Sequence, residues 1–328
     1  MLPSVRLTML TRVVVALALS VLFAPTHAQV YPTRPVRLVV PFPPGGSTDI
    51  VARLLSQKLG DALGQQFVID NRGGAAGAVG AQAVARATPD GYTLMLTNPG
   101  PSVHNVLLRK DPVYGVDDFA PIIHISSSAS FVVATPKLPV NNLKELIAFA
   151  KANPGKIRWA SAGINSNPHM SLEILKLATG IDVLHVPYKG SGPAMTDAIA
   201  GQVDAMFTSL IAAEAHIASG RLKVLGYAGE KRALGLPSAA TFVEQGIHGV
   251  NVGNWLGLVT AARTQRPIIA ILNEAVNNVL QAPDVRHRLE AAGLEIAGGP
   301  PERLGALMKS ESGSISKLLK SGALRVEQ

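Results

Sequence analysis

The chain contains no cysteine. A disulfide framework, thiolate catalysis and cysteine-ligated zinc are therefore excluded, and stability must come from a large buried core. Aromatic residues make up only 5% of the chain, which argues against base-stacking surfaces and aromatic-lined sugar grooves. Charged residues are scarce as well, at 16% against 47% apolar, a balance that excludes disorder. The basic residues are scattered rather than striped, so no nucleic-acid partner is expected. No repeat, low-complexity tract or Gly/Ser linker divides the 328 residues, a length sufficient for two α/β domains.

Sharper chemistries are missing too. No Lys-Ser or Lys-Thr follows Gly45-Gly46, so a phosphate-binding P-loop is excluded. "GGAAGAVG" from Gly73 lacks dinucleotide-binding spacing, and its glycines suit close helix packing. No G-x-S-x-G elbow presents Ser47, Ser161 or Ser191 as a nucleophile, and no HExxH motif occurs. The histidines beyond residue 28 are dispersed; His169, beside the Ser161 cluster, is the one to watch, and a capping or structural role suits it better than catalysis. No metal, cofactor or catalytic residue is expected.

The apolar run over residues 13–23 is too short for a comfortable membrane span. Arg6 and Arg12 precede it, and Thr26 and Ala28 satisfy the small-residue rule for cleavage. The expectation is a signal peptide over residues 1–28, a mature start at Gln29 and a periplasmic location. Removing Arg6 and Arg12 takes the formal charge from +8 to +6, an excess that suits an anionic small molecule.

What is present is an alternation of strand and helix. "VRLVVPF", "QFVIDNR" and "YTLMLTN" read as strands separated by the helices "STDIVARLLSQKLGDAL", with Ile50, Leu54 and Leu55 inward, and "GAVGAQAVARA". Further on, "NNLKELIAFAKANPG" places Leu143, Leu146, Ile147 and Ala150 at helical spacing, and "HMSLEILKLATG" stops at Gly180. "IRWASAG", "DVLHVPY", "VDAMFTS" and "LKVLGYAG" read as strands. "PAMTDAIAGQ" reads as a short helix opened by Pro193. Ile268, Ile271, Leu272, Ala275, Val276 and Val279 form a late helical stripe. This order predicts parallel sheets covered by helices.

Two junctions combine rigidity with permissiveness. In "PFPPGGSTD", Pro43 and Pro44 fix the exit from a strand, Gly45 and Gly46 permit close backbone approach, and Ser47, Thr48 and Asp49 are helix-capping types. A helix N-terminus at a strand's carboxyl end is where open α/β sheets bind anions. "HVPYKGSGPAM" repeats the design through Tyr188, Lys189, Gly190, Ser191 and Gly192, with Pro193 and Ala194 beginning the helix. Lys189 is assigned to steering and the backbone amides to holding. Two further strand ends carry small polar clusters, at Thr97-Asn98 and at Ser161-Ala162-Gly163. Asp49 can cap its own helix, whereas Asp204 stands near the start of a strand; if either faced the cleft, an ammonium group on the ligand would fit.

"YPTRPVRLVVPFPPGGSTDIVARLL", "DNRGGAAGAVGAQAVARATPDGYTLML", "WASAGINSNPHMSLEILK", "VPYKGSGPAMTDAIAGQVDAMF" and "FVEQGIHGV" together resemble the Bug family, the receptors of tripartite tricarboxylate transporters, over nearly all of the chain after the signal segment. The resemblance implies a type II periplasmic-binding-protein fold: two α/β lobes joined by crossover strands, closing on ligand. It implies that the loops at 43–49 and 188–194 grip a carboxylate, partly through water, that Thr97, Asn98, Ser161, Ala162 and Gly163 line the cleft, and that ligand passes to a two-component membrane permease. The expected lobes are residues 29–129 with 253–328, and residues 130–252, in a monomer.

Three departures from the family pattern stand out: Gly73 replaces a usual proline and loosens its turn, Thr208 replaces a common aspartate, and "VTAARTQRP" precedes the helix at Pro267. A non-catalytic receptor for a small carboxylate, aliphatic rather than aromatic, is the favoured reading. A receptor presenting ligand to a sensor kinase, or an enzyme acting on a small organic acid, are the alternatives left open.

Overall fold

A computed structural model describes residues 31–250, 252–322 and 324. The signal peptide expected over residues 1–28 lies outside the described residues.

The strand–helix alternation is present. β1 (Val36–Val40) leads through α1 (Ser47–Leu63) to β2 (Phe67–Asn71), then through α2 (Ala78–Ala85) to β3 (Thr93–Thr97). β1 pairs in parallel with both β2 and β3, which the intervening helices make possible. A wide, π-type helical turn over Gly100–His104 precedes β4 (Phe119–Ala129), and a single residue separates β4 from β5 (Phe131–Ala134). The chain continues through α3 (Leu143–Ala152), β6 (Arg158–Ser161), α4 (Asn167–Thr179), β7 (Leu184–Pro187), α5 (Ser191–Ala200), β8 (Ala205–Thr208), α6 (Leu210–Ala218) and β9 (Lys223–Tyr227). It returns in β10 (Gly253–Ala261) and finishes with α7 (Arg266–Gln281), α8 (Pro283–Ala291), β11 (Glu295–Ile296) and α9 (Pro301–Lys320).

One sheet has the order β11-β4-β10-β3-β1-β2 and the other β7-β6-β8-β5-β9. Both are mixed: β10 is antiparallel to β3 and β4, and β5 is antiparallel to β8 and β9. The fold is therefore two α/β lobes, and the chain crosses between them at Ser130 and again near Val252. The crossings are tied together, since the Ser130 N–H donates to the Val252 carbonyl at 3.2 Å. β4, β5 and β10 had no place in the sequence reading; for β4 and β5 the reason is that "IIHISSSASFVVA" carries no glycine or proline to punctuate it.

Two helices differ from expectation. α1 buries Val51, Ala52, Leu55 and Leu59, leaving Ile50 and Leu54 only half-buried. Leu55 is inward as expected and forms one row with Val51 and Leu59 at four-residue spacing, so the inward face centres beside Ile50 and Leu54 rather than on them. α5 begins at Ser191, which makes Pro193 its third residue rather than its first. The missing N–H of proline is harmless anywhere in the first turn, where amides have no intrahelical acceptor.

Trp159 and Phe207, with ring centroids 5.3 Å apart, centre the core of the second lobe, flanked by Leu143, Leu146 and Leu172. Met95, Trp255, Val259 and Leu304 do the same in the first. Trp159 is fully buried, so Trp159→Ala is expected to lower the unfolding free energy by about 3–5 kcal/mol. Urea denaturation followed by circular dichroism measures it.

Candidate functional site

Both Gly-rich junctions end in helices whose first amides face a shared space. α1 starts after Gly46 and α5 after Gly190, both in extended conformation, and neither N-cap supplies a side-chain hydrogen bond. The unsatisfied N–H groups of the two first turns carry the positive ends of two helix dipoles.

The loops that carry these helices touch. A Cβ added to Gly192 would lie 2.4 Å from the Pro44 carbonyl oxygen, and one on Gly190 would lie 2.7 Å from Pro43 Cδ. On its other side the Pro43 ring meets Gly73, where a Cβ would stand 2.6 Å from Pro43 Cδ. Gly73 was expected to loosen its turn; in the structure it clears space for the Pro43 ring instead. Gly45, at φ +93°, turns the chain into α1 and sits 3.8 Å short of the Gly192 Cα by the same measure.

Behind the contact lies a cavity of about 50 Å³. Gly46, Ser47, Thr48 and Asn98 line it from the first lobe, and Ala162, Asn167, Ser191, Thr208 and Ser209 from the second. Ser128, Ser130 and Asn254 line it from the crossing strands, and Phe42 and Phe207 add apolar wall. Among the described residues no charged side chain lines it. An anion there is met by amides, hydroxyls and dipoles rather than by an ion pair.

The remaining expected residues have other partners. The Asp49 carboxylate accepts from Arg53 Nη2 at 2.9 Å, Asn71 Nδ2 at 3.0 Å and the Gly45 N–H at 3.1 Å. Burial alone would raise its pKa, but these bonds outweigh burial and hold it below the ordinary carboxylate value. Thr97 Oγ1 lies 2.6 Å from Ser102 Oγ, while Asn98 accepts from the Gly100 N–H at 3.0 Å and reaches Thr48 Oγ1 at 3.4 Å. Ser161 Oγ accepts from the Gly163 N–H at 3.1 Å, folding the turn that carries Ala162. The Tyr188 hydroxyl donates to Asp197 Oδ2 at 2.6 Å; burial and that carboxylate push it up to about 12, so it is a donor already spent. Lys189 and Pro193 are exposed outside the cavity, and Ala194 is buried beneath it. Asp204 forms a paired bridge with Arg158, Oδ1 to Nη2 at 2.7 Å and Oδ2 to Nε at 3.0 Å. It stands at the start of β8, whereas Thr208, at the end of that strand, lines the cavity.

Sequence reasoning missed Ser128, Ser130, Asn167 and Asn254. Ser128 and Asn254 are direct partners across β4 and β10, and the buried Asn254 Oδ1 has no hydrogen-bond partner among the described residues. The serine run "SSSAS" was the available signal, an uncommon content for a buried strand.

A cleft between two α/β lobes, at the carboxyl ends of their parallel strands and floored by paired crossover strands, defines a type II solute-binding protein. The chain belongs to the tripartite tricarboxylate transporter family receptors, whose model matches residues 51–323. Among solved structures, the periplasmic binding protein BugD is 36% identical, covering 90% of this chain and 99% of its own, with a TM-score of 0.86. Rpa4515 of R. palustris, solved with adipate, is 33% identical over 88% of this chain and 97% of its own, at 0.85. MatC of Rhodopseudomonas palustris, with bound malate, is 33% identical over 87% and 98%, at 0.83. The chain is thus a periplasmic receptor that works in transport rather than catalysis.

Because the bonds to Asp49 lower its pKa, they stabilise the protein above the ordinary carboxylate value, and that contribution is lost as pH falls through the lowered one. Asp49→Asn is expected to lower Tm by about 3–6 °C at pH 7, a gap that narrows below about pH 4. Scanning calorimetry across pH reads both.

Proposed function

We propose that the protein captures a small aliphatic carboxylate between its lobes and delivers it to the two-component membrane permease of a tripartite tricarboxylate transporter. The carrying observation is the pair of helix N-termini without side-chain caps, α1 and α5, opening onto one cavity free of charged side chains. One carboxylate lies between the Ser47 and Thr48 amides on one side and the Ser191 and Gly192 amides on the other. Ser47 and Ser191 add their hydroxyls, and Lys189 attracts the anion from outside.

Helix ends contribute about 0.3–1 kcal/mol each to an anion, rising to about 2 when partly buried. Charge-assisted hydrogen bonds add about 1.5–3 kcal/mol apiece. Four or five such bonds reach the roughly 8 kcal/mol of micromolar binding after ordering costs. The malate and adipate carried by MatC and Rpa4515 support the aliphatic class. The hydroxyl-rich floor and small cavity favour four-carbon acids. Export through a cleaved segment over residues 1–28 belongs to the same reading. So do lobe limits at 29–129 with 253–328 and at 130–252, which the membership of each strand in one sheet or the other supports.

Calorimetry on the chain from Gln29 with succinate, malate, adipate, citrate and benzoate tests the proposal. One aliphatic acid is expected to bind one-to-one at micromolar affinity, about 3- to 30-fold more weakly in Ser47→Ala. Gly192→Val, whose side chain would strike the Pro44 carbonyl, is expected to abolish binding while leaving Tm within a few degrees. A panel in which no acid binds would overturn it.

A further inference from the structure

Two histidines stack beside the cavity, and a third lies near them. His169, in the first turn of α4, stacks on His185 of β7 with ring centroids 4.3 Å apart and planes inclined by 21°. His104, 1% exposed, lies near them on the turn Gly100–His104 of the first lobe, its Nε2 2.8 Å from Glu311 Oε1 of α9. Glu173 and Lys176 of α4 complete the charged surroundings, with Glu173 Oε1 3.9 Å from His169 Nε2.

The bonds of this cluster hold one wall of the cavity. His169 Nδ1 accepts the Asn165 N–H at 3.1 Å, and Asn165 adopts a left-handed φ of +66°. His185 Nε2 lies 2.7 Å from Ser161 Oγ, the atom that folds the turn at Gly163. Both bonds converge on residues 161–167, of which Ala162 and Asn167 line the cavity. That segment is pressed on the first lobe: a Cβ on Gly163 would lie 3.4 Å from Ala76 Cβ, and one on Gly100 would lie 3.4 Å from Ser166 Cα.

Accepting an amide at Nδ1 puts the single proton of His169 on Nε2. A second proton has only Nδ1 to occupy, where it would face the Asn165 N–H and turn an attraction into a repulsion. Burial also disfavours the charged ring; Glu173 opposes this, and Lys176 and His104 add to it. Burial and His169 hold the stacked partner, His185, down at about 4.

We propose that His169 is a proton-operated latch: neutral, it holds residues 161–167 against the first lobe, and protonated, it frees them, so that the receptor loosens its hold on ligand as pH falls below neutrality. This regulation rests on the receptor reading of the cavity. The sign follows from the neutral ring being the one the closed wall selects. The contribution of the latch to closure is complete above the ordinary histidine value, about 6.5, and is lost as pH falls from there through the lowered value of the buried ring.

Amide exchange of the ligand-free protein, read by mass spectrometry on residues 161–167 and corrected for intrinsic rates, tests the latch without any ligand. Protection is expected to fall between pH 7.5 and 5.0 in the wild type. It is expected to stay constant in His169→Asn, whose Oδ1 can accept the same amide but cannot titrate. Equal protection at both pH values in the wild type, or an equal loss in the variant, would overturn the proposal; the wild-type comparison decides alone if H169N does not fold. Malate affinity supplies the second reading, with the acid's own titration common to both proteins. Wild type is expected to lose about 3- to 30-fold more affinity than H169N over that range. Absence of malate binding at pH 7.5 would count against malate as a ligand of the receptor and leaves the exchange result to judge the latch.

Discussion

The geometry of the site depends on one contact, the Pro43 ring seated between Gly73 and Gly190. Two positions with no Cβ let a rigid ring approach two segments of backbone at once, one from each lobe. That approach brings the openings of α1 and α5 to the same point. A longer side chain at 190 or 192 would hold the helix ends apart, and their partial charges would act on solvent instead of on a shared anion. The electrostatic consequence is a site that is positive without a cation. Its potential comes from backbone amides fixed by the fold, which need no reorganisation when ligand arrives. Asp49, a carboxylate in the first turn of α1, would oppose an anion were it free; Arg53, Asn71 and the Gly45 amide hold it and turn it into the anchor of its own helix.

How much of this was legible in the sequence follows from how local each feature is. The helix openings at Gly46 and Gly190 are written in consecutive residues, and so were readable. The side-chain commitments were not. Tyr188 looked available for ligand, yet Asp197, nine residues on and two turns into α5, takes its hydroxyl. Asp204 could have been set aside from strand direction alone, since ligands meet parallel strands at their carboxyl ends and Asp204 stands at the other end of β8 from Thr208. On α1, Leu55 was read correctly as inward but Ile50 and Leu54 were not, because leucine and isoleucine are equally apolar on neighbouring faces and only packing chooses between them. The serines of β4 escaped notice for another reason. They lie where the chain crosses lobes, and a crossover is a property of topology with no local residue pattern.

Dispersal in sequence was likewise a poor guide to the histidines. His104, His169 and His185 come from three elements and two lobes, and the fold has stacked two of them and brought the third near. A cavity without titratable groups of its own is thereby backed by a wall that contains them. Ligand recognition and proton response are separated by one layer of structure.

The hydrogen bond between Ser130 and Val252 has a mechanical meaning. Two crossing segments tied by a hydrogen bond where the chain passes between lobes would permit rotation of one lobe on the other more readily than translation. Ser128, Ser130 and Asn254 sit beside this tie, whereas Ser47 and Ser191 belong one to each lobe and face the same cavity. A relative rotation of the lobes about the tie would displace the floor of the cavity less than the two helix openings. On the proposed reading of the site, a ligand's distal groups would meet the less mobile surface while its carboxylate met the moving helix openings.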